Sequence, residues 1–202
     1  MGLKEAPRAS RREFLPDAAA TERLGERLAG LLEPRDVVVL TGPLGAGKTT
    51  LVRGLARGLG SASHVRSASF AWVQEYRARI PLVHLDLYRL RHPEDLDGIG
   101  WDEYRERDAV LVVEWGERAG AALPDARWEV TLETEGDGRV ARMEARGEGP
   151  VRRAAGWAAD AAGTAGTAGT ADAAGTADAG DAAGTADAAG TAGAADPAGS
   201  GA

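Results

Sequence analysis

A three-layer α/β fold with a mixed central sheet, followed by a low-complexity tail, is what the sequence predicts, and three observations carry that reading. Val37-Val38-Val39-Leu40 and Ala109 to Val113 are short, continuous apolar runs rich in β-branched residues, the pattern of strands buried on both faces of a parallel sheet. Helical periods flank the first run, with Leu24, Leu28, Leu31 and Leu32 before it and Leu51, Val52, Leu55 and Leu59 after it. From Ala158 onward, by contrast, the chain is almost wholly Ala, Gly, Thr and Asp, with six Asp and no Lys or Arg.

In chain order, residues 1–16 are charged and are expected to form a flexible N-terminus. Within them Ser10-Arg11-Arg12-Glu13-Phe14-Leu15 is similar to the core of a twin-arginine export signal. Such a signal needs an uncharged apolar segment next, and Asp17, Glu22, Arg23, Glu26 and Arg27 follow instead. Asp17 is a helix cap, and Pro34 closes the helix it starts. The strand at 37–40 runs directly into a glycine-rich turn, and a second helix begins near Thr49, with Gly58 and Gly60 as stops.

Phe70 to Tyr76 and Leu82 to Tyr88 alternate as strands and are expected to pair antiparallel through the connection Arg77 to Pro81. Pro93-Glu94-Asp95-Leu96 is a helix start, and Trp101 to Arg105 another short helical turn. After the second apolar strand, Trp128 to Glu133 and Arg139 to Ala145 flank Gly136-Asp137-Gly138, a hairpin signal. The folded domain is therefore expected over residues 17–153, with residues 154–202 a disordered tail. From residue 158 it repeats Asp-Ala-Ala-Gly-Thr-Ala at 172, 181 and 187 and offers no large side chain to bury.

Composition narrows the function classes. Without cysteine the chain can hold no disulfide, thiolate zinc site, iron–sulfur cluster or cysteine nucleophile, and a reducing compartment is permitted. All 24 basic residues and 25 of the 31 acidic ones fall within residues 1–157, a net charge near −1. That balance lacks the basic excess on which sequence-independent nucleic-acid binding leans, so any RNA link is expected to be indirect. No stretch approaches the roughly 20 apolar residues that span a bilayer, so no membrane partner is expected.

Gly42-Pro43-Leu44-Gly45-Ala46-Gly47-Lys48-Thr49 satisfies G-x-x-x-x-G-K-[ST] between a strand and a helix, the context that marks a phosphate-binding P-loop. Glycines let successive N–H groups curl round a polyphosphate, and the following helix adds unpaired N–H groups and its positive dipole end. Lys48 neutralises β/γ-phosphate charge, Thr49 offers a hydroxyl to Mg²⁺, and Thr50 continues the first turn. The chain has 22 Arg but only two Lys, Lys4 and Lys48, so the ammonium stands where a planar guanidinium would not fit. The fold is thus expected to be P-loop NTPase-like.

Such a site also needs a carboxylate at the end of a neighbouring strand. Glu114 directly follows Val110 to Val113, where a parallel strand delivers its C-terminal end to the ligand crevice. Asp86 is the second candidate, sharing one face of its strand with His84 and Tyr88. The absence of Asn, and of Lys after position 48, excludes the Asn-Lys-x-Asp signature of guanine binders and favours ATP. His64, His84 and His92 are scattered and read as structural.

Taken together, residues 42–50, Ser67-Ala68-Ser69-Phe70, His84-Leu85-Asp86-Leu87-Tyr88-Arg89-Leu90 and Glu114-Trp115 resemble the bacterial TsaE (YjeE) family. Leu24-Gly25-Glu26-Arg27, Pro93 to Leu96 and Leu123-Pro124-Asp125 extend the resemblance over residues 18 to 145. It implies a small cytoplasmic ATPase that works with TsaB and TsaD in making threonylcarbamoyladenosine at adenosine 37 of tRNA, touching tRNA only through that complex. By the same resemblance, Gly42, Leu44, Gly45, Ala46, Gly47, Lys48, Thr49, Thr50 and Glu117 bind ATP, and Thr49 and Glu114 serve Mg²⁺. Asp86, with Lys48 and Glu114, carries hydrolysis; Ser67, Ser69 and Phe70 form a nucleotide-sensing loop; and Trp115 borders the site.

Three departures stand out. The family usually reads Ser-Pro-Thr where this chain has Ser67-Ala68-Ser69, so the φ-locking proline is gone. Pro43 replaces an acidic residue and removes one backbone N–H, and the tail has no counterpart. A P-loop small-molecule kinase is the alternative enzyme, with Arg89 to Arg107 as its only candidate lid. A nucleotide-dependent binding module is the non-enzymatic one.

Overall fold

The computed structural model describes residues 7–66 and 72–157. Ser67, Ser69 and Phe70, expected to form a nucleotide-sensing loop, and the chain from residue 158 lie outside the described residues.

Seven strands form one sheet in the order β1-β7-β6-β2-β5-β4-β3. The strands are β1 (Arg8–Leu15), β2 (Val37–Thr41), β3 (Val73–Tyr76), β4 (Leu82–Asp86), β5 (Val110–Glu114), β6 (Arg127–Glu135) and β7 (Gly138–Arg146). The central four are parallel, β2 lying between β6 and β5 and β5 against β4. Antiparallel strands extend both edges, β3 on β4 at one side and β7 then β1 at the other. The expected three-layer α/β fold with a mixed sheet is therefore present. The antiparallel pair and the terminal hairpin form as expected, although the run expected from Phe70 is a strand only over Val73–Tyr76, with residues 70 and 71 outside the described residues, and the run at 82–88 ends as a strand at Asp86. Beyond it the chain turns, with the Leu90 amide donating to the Leu87 carbonyl at 2.9 Å.

Two cores follow from the alternation of strand side chains. On one face α1 (Ala18–Ala29), α2 (Lys48–Gly58) and α4 (Glu148–Ala154) bury Leu24, Leu28, Leu51, Leu55 and Leu59 against Val38, Leu40, Val112 and Trp128. On the other, the short 3₁₀ segments Pro93–Ile99 and Gly116–Ala122 and helix α3 (Trp101–Glu106) cover Val37, Val39, Val83, Leu111 and Val113. Asp17 caps α1 as expected, accepting from the Ala20 amide at 2.6 Å. Among the described residues no helix is long and apolar enough to cross a membrane.

Both ends of the domain differ from the expectation. Residues 8–15 are not a flexible terminus but edge strand β1, paired along its length with β7. Its alternation is hidden because two inward positions carry charge. Arg11 donates to the Trp157 carbonyl at 2.7 Å, and Glu13 pairs with Arg11 and Arg27. At the other end, the expected tail boundary at residue 154 falls inside packed structure. Ala154 and Trp157 are buried, and the Trp157 ring meets Trp128 edge-on at 5.3 Å. Arg153 anchors α4 by donating to the Leu31 carbonyl at 2.8 Å and to both Asp36 carboxylate oxygens at 2.6 Å. Burial pushes the Asp36 carboxyl above its ordinary pKa, and Arg153 acts against that.

Helices α1 and α2 approach so closely that two glycines are obligatory. A Cβ on Gly54 would lie 2.0 Å from the Glu22 carbonyl oxygen, and one on Gly25 would lie 2.4 Å from that of Leu51. In an isolated helix Gly→Ala stabilises by about 1 kcal/mol. Here the sign reverses: Gly54→Ala is expected to lower unfolding free energy by about 3 kcal/mol in urea denaturation, the upper range for overpacking a core. A neutral or stabilising result would contradict this helix contact.

Candidate nucleotide-binding site

The site is the junction of β2 with α2. β2 ends at Thr41, and the chain turns through Gly42, Gly45 and Gly47, all at positive φ (127°, 78° and 103°). Gly42 is doubly constrained, since a Cβ there would sit 2.1 Å from the Leu132 carbonyl oxygen on β6. α2 then starts at Lys48 with Gly47 as its cap, aiming the free N–H groups of its first turn into the loop.

Lys48 is only 4% exposed. Its Nζ donates to the Gly42 carbonyl at 2.7 Å and the Pro43 carbonyl at 2.9 Å and lies 3.7 Å from the centre of the Trp115 ring. Burial pulls the ammonium below its ordinary pKa, while the carboxylates of Glu114, Glu117 and Asp86 act the other way. The loop's own carbonyls and an aromatic face thus surround the cation.

Glu114 ends β5, buried to 4% exposure. One of its oxygens, Oε1, accepts from Thr49 Oγ1 at 2.8 Å and stands 2.9 Å from His84 Nε2. Asp86 ends β4 in register with Glu114, as expected of adjacent parallel strands, and accepts the Tyr88 amide at 3.0 Å. The next residue, Trp115, has φ 58°, a left-handed conformation costly for a bulky side chain. Its ring packs on Tyr88 at 5.1 Å, and the Arg118 guanidinium lies over both rings.

A cleft of about 380 Å³ is lined by Leu44, Gly45, Gly47, Lys48, Thr49, Thr50, Asp86, Tyr88, Arg89, Glu114 and Trp115. Gly42 lies beneath it, as the acceptor of Lys48. A second cleft, about 160 Å³, shares Gly45, Gly47 and Thr50 with the first and is walled by Leu15 to Ala18, Ala46 and Asp137 to Arg139. Glu117 lines neither, and acts on Lys48 only through its charge. Sequence reasoning read His84 as structural and did not single out Arg139 for the site. The first sits between strand residues that pattern as core, and the second comes from a hairpin distant in sequence.

The family described as threonylcarbamoyl adenosine biosynthesis protein TsaE matches residues 15–143. The chain is 36% identical over 133 residues to the tRNA threonylcarbamoyladenosine biosynthesis protein TsaE of Haemophilus influenzae, covering 63% of this chain and 84% of that one. To the protein of the same name from Treponema pallidum it is 42% identical over 121 residues, 60% of this chain and 90% of that one. Among solved structures, Bacillus subtilis YdiB superposes with a TM-score of 0.65 at 28% identity, covering 79% of this chain and 99% of that one.

Because Lys48 is desolvated without a carboxylate in bonding contact among the described residues, its charge contributes little to folding. Lys48→Met is expected to unfold in denaturant with a free energy within about 1 kcal/mol of wild type at neutral pH. The folded protein releases this proton before the unfolded chain does, so wild type gains stability relative to the variant as pH rises toward 10.5. A strong loss of stability in Lys48→Met at pH 7 would contradict the reading.

Proposed function

The chain belongs to the TsaE family, whose members are named for tRNA threonylcarbamoyladenosine biosynthesis, and from that premise we propose that it serves this modification as an ATP-binding and ATP-hydrolysing component. The observation that carries the proposal is the hydrogen bond from Thr49 to Glu114 beside Lys48. It joins a hydroxyl and a carboxylate, the pair of groups a triphosphate site would need, from residues 65 positions apart.

The polyphosphate would lie in the larger cleft, with Lys48 exchanging the Gly42 and Pro43 carbonyls for phosphate oxygens. The amides of Gly45 to Thr50 would cradle those oxygens. Thr49 and Glu114 supply the hard oxygen donors that suit Mg²⁺. Such a cation, when bound, neutralises charge on the β- and γ-phosphates. Asp86, one strand away from Glu114, is suited to orient a water for attack. The smaller cleft continues from Gly45 and Gly47 and is the natural seat of the base and ribose.

Partner proteins TsaB and TsaD are the proposed site of the RNA chemistry, with ATP turnover here resetting their complex. The near-neutral charge of residues 1–157 supports an indirect contact with tRNA.

Lys48→Ala is expected to weaken ATP binding by about 2 to 5 kcal/mol in calorimetry, the usual loss when charge-assisted phosphate contacts are broken. Asp86→Asn is expected to keep ATP affinity and to lose hydrolysis by about 100-fold or more. Wild-type hydrolysis should be slow alone and rise when TsaB and TsaD are added. Transfer of the γ-phosphate to a metabolite at tens of turnovers per second would mark a kinase instead.

A further inference from the structure

We propose that His84 is the positioning residue of the Glu114 carboxylate, an inference that rests on reading Glu114 as a Mg²⁺ ligand. His84 is wholly buried on β4 and makes one polar contact among the described residues, Nε2 to Glu114 Oε1 at 2.9 Å. A carboxylate oxygen accepts, so Nε2 is the donor of this pair. Nδ1 is buried and meets no hydrogen-bond partner among the described residues. A side chain serving packing alone would be better apolar here, because an unpaired buried nitrogen costs stability. What the imidazole supplies in return is a fixed donor to Glu114.

The fixing is geometric. Tyr76 lies beside the imidazole with ring centres 6.5 Å apart and planes 28° from parallel, and the imidazole is fully enclosed by the fold. The same strand carries Asp86 two residues on, so β4 delivers both the positioning group and the second acidic group of the site. Thr49 and His84 converge on Oε1, and no hydrogen bond or ion pair reaches Oε2 among the described residues. Glu114 lines the cleft, and Oε2 is the oxygen left without a protein donor among the described residues while Oε1 is held. Were Thr49 to give its hydroxyl to a cation, His84 would be the donor remaining on the carboxylate. Groups that orient a metal ligand in this way typically change metal affinity by about 10- to 100-fold when removed.

The test uses Mn²⁺ as the probe, with ADP, on the full chain. Free Mn²⁺ is followed by electron paramagnetic resonance, ADP affinity is measured separately in EDTA, and unfolding is followed in urea. His84→Leu is expected to fold cooperatively, to bind metal-free ADP within about threefold of wild type, and to lose about 10- to 100-fold in Mn²⁺ affinity. His84→Gln, whose amide can donate from a similar position, should recover most of that loss. Wild-type Mn²⁺ affinity in His84→Leu overturns the proposal. So does a His84→Gln protein that folds yet binds Mn²⁺ no better than His84→Leu, since the imidazole would then only fill space. Should His84→Leu not fold, His84→Gln decides alone: near-wild-type Mn²⁺ affinity supports the role and a loss of tenfold or more refutes it. Failure of wild type to bind ADP at all would remove the nucleotide reading itself, a result visible before any variant is compared.

Discussion

Glu114 accepts hydrogen bonds from Thr49 and His84, and in doing so it joins the first turn of α2 to the ends of β5 and β4. A buried carboxylate is tolerated only where donors surround it. That requirement fixes the relation of three elements far apart in sequence. Parallel pairing makes it possible: β2, β4, β5 and β6 run the same way, so β2, β4 and β5 present their C-terminal ends together at the edge where the glycine-rich turn begins.

Local costs concentrate at the same edge. Lys48 is desolvated, Trp115 is held left-handed, Gly42 is pressed against Leu132, and His84 Nδ1 is buried without a partner among the described residues. None of these improves packing. They persist because two apolar layers, one under α1 and α2 and one under the 3₁₀ segments and α3, hold the sheet from both sides. The stable part of the molecule and the chemically poised part thus meet at the strand ends.

Around this centre the sheet is widened by antiparallel strands and sealed by the two ends of the domain. β1 pairs with β7, and its Arg11 reaches the Trp157 carbonyl, so residues from the start and end of the described chain meet. Arg153 ties α4 to Leu31 and Asp36, beside the Trp128 and Trp157 rings. Residues 144–157 lie beyond the family match that ends at 143, yet they bury Ala145, Ala154 and Trp157 in the main core.

Much of this was legible in the residues. Continuous β-branched runs marked β2 and β5, the helical period marked α1 and α2, and the glycine pattern ending in Lys48-Thr49 marked the turn, because each signal is local and repeats along the backbone. Glu114 could be picked out by its place at the end of an apolar strand. β1 and α4 could not, since Arg11, Glu13 and Arg153 look solvent-bound until their partners 14 to 146 residues away are known. The role of His84 was hidden for the same reason: sequence sets which groups each element carries and on which face, but hydrogen bonds between strands depend on register and burial. Only the folded sheet brings those groups within 3 Å of one another.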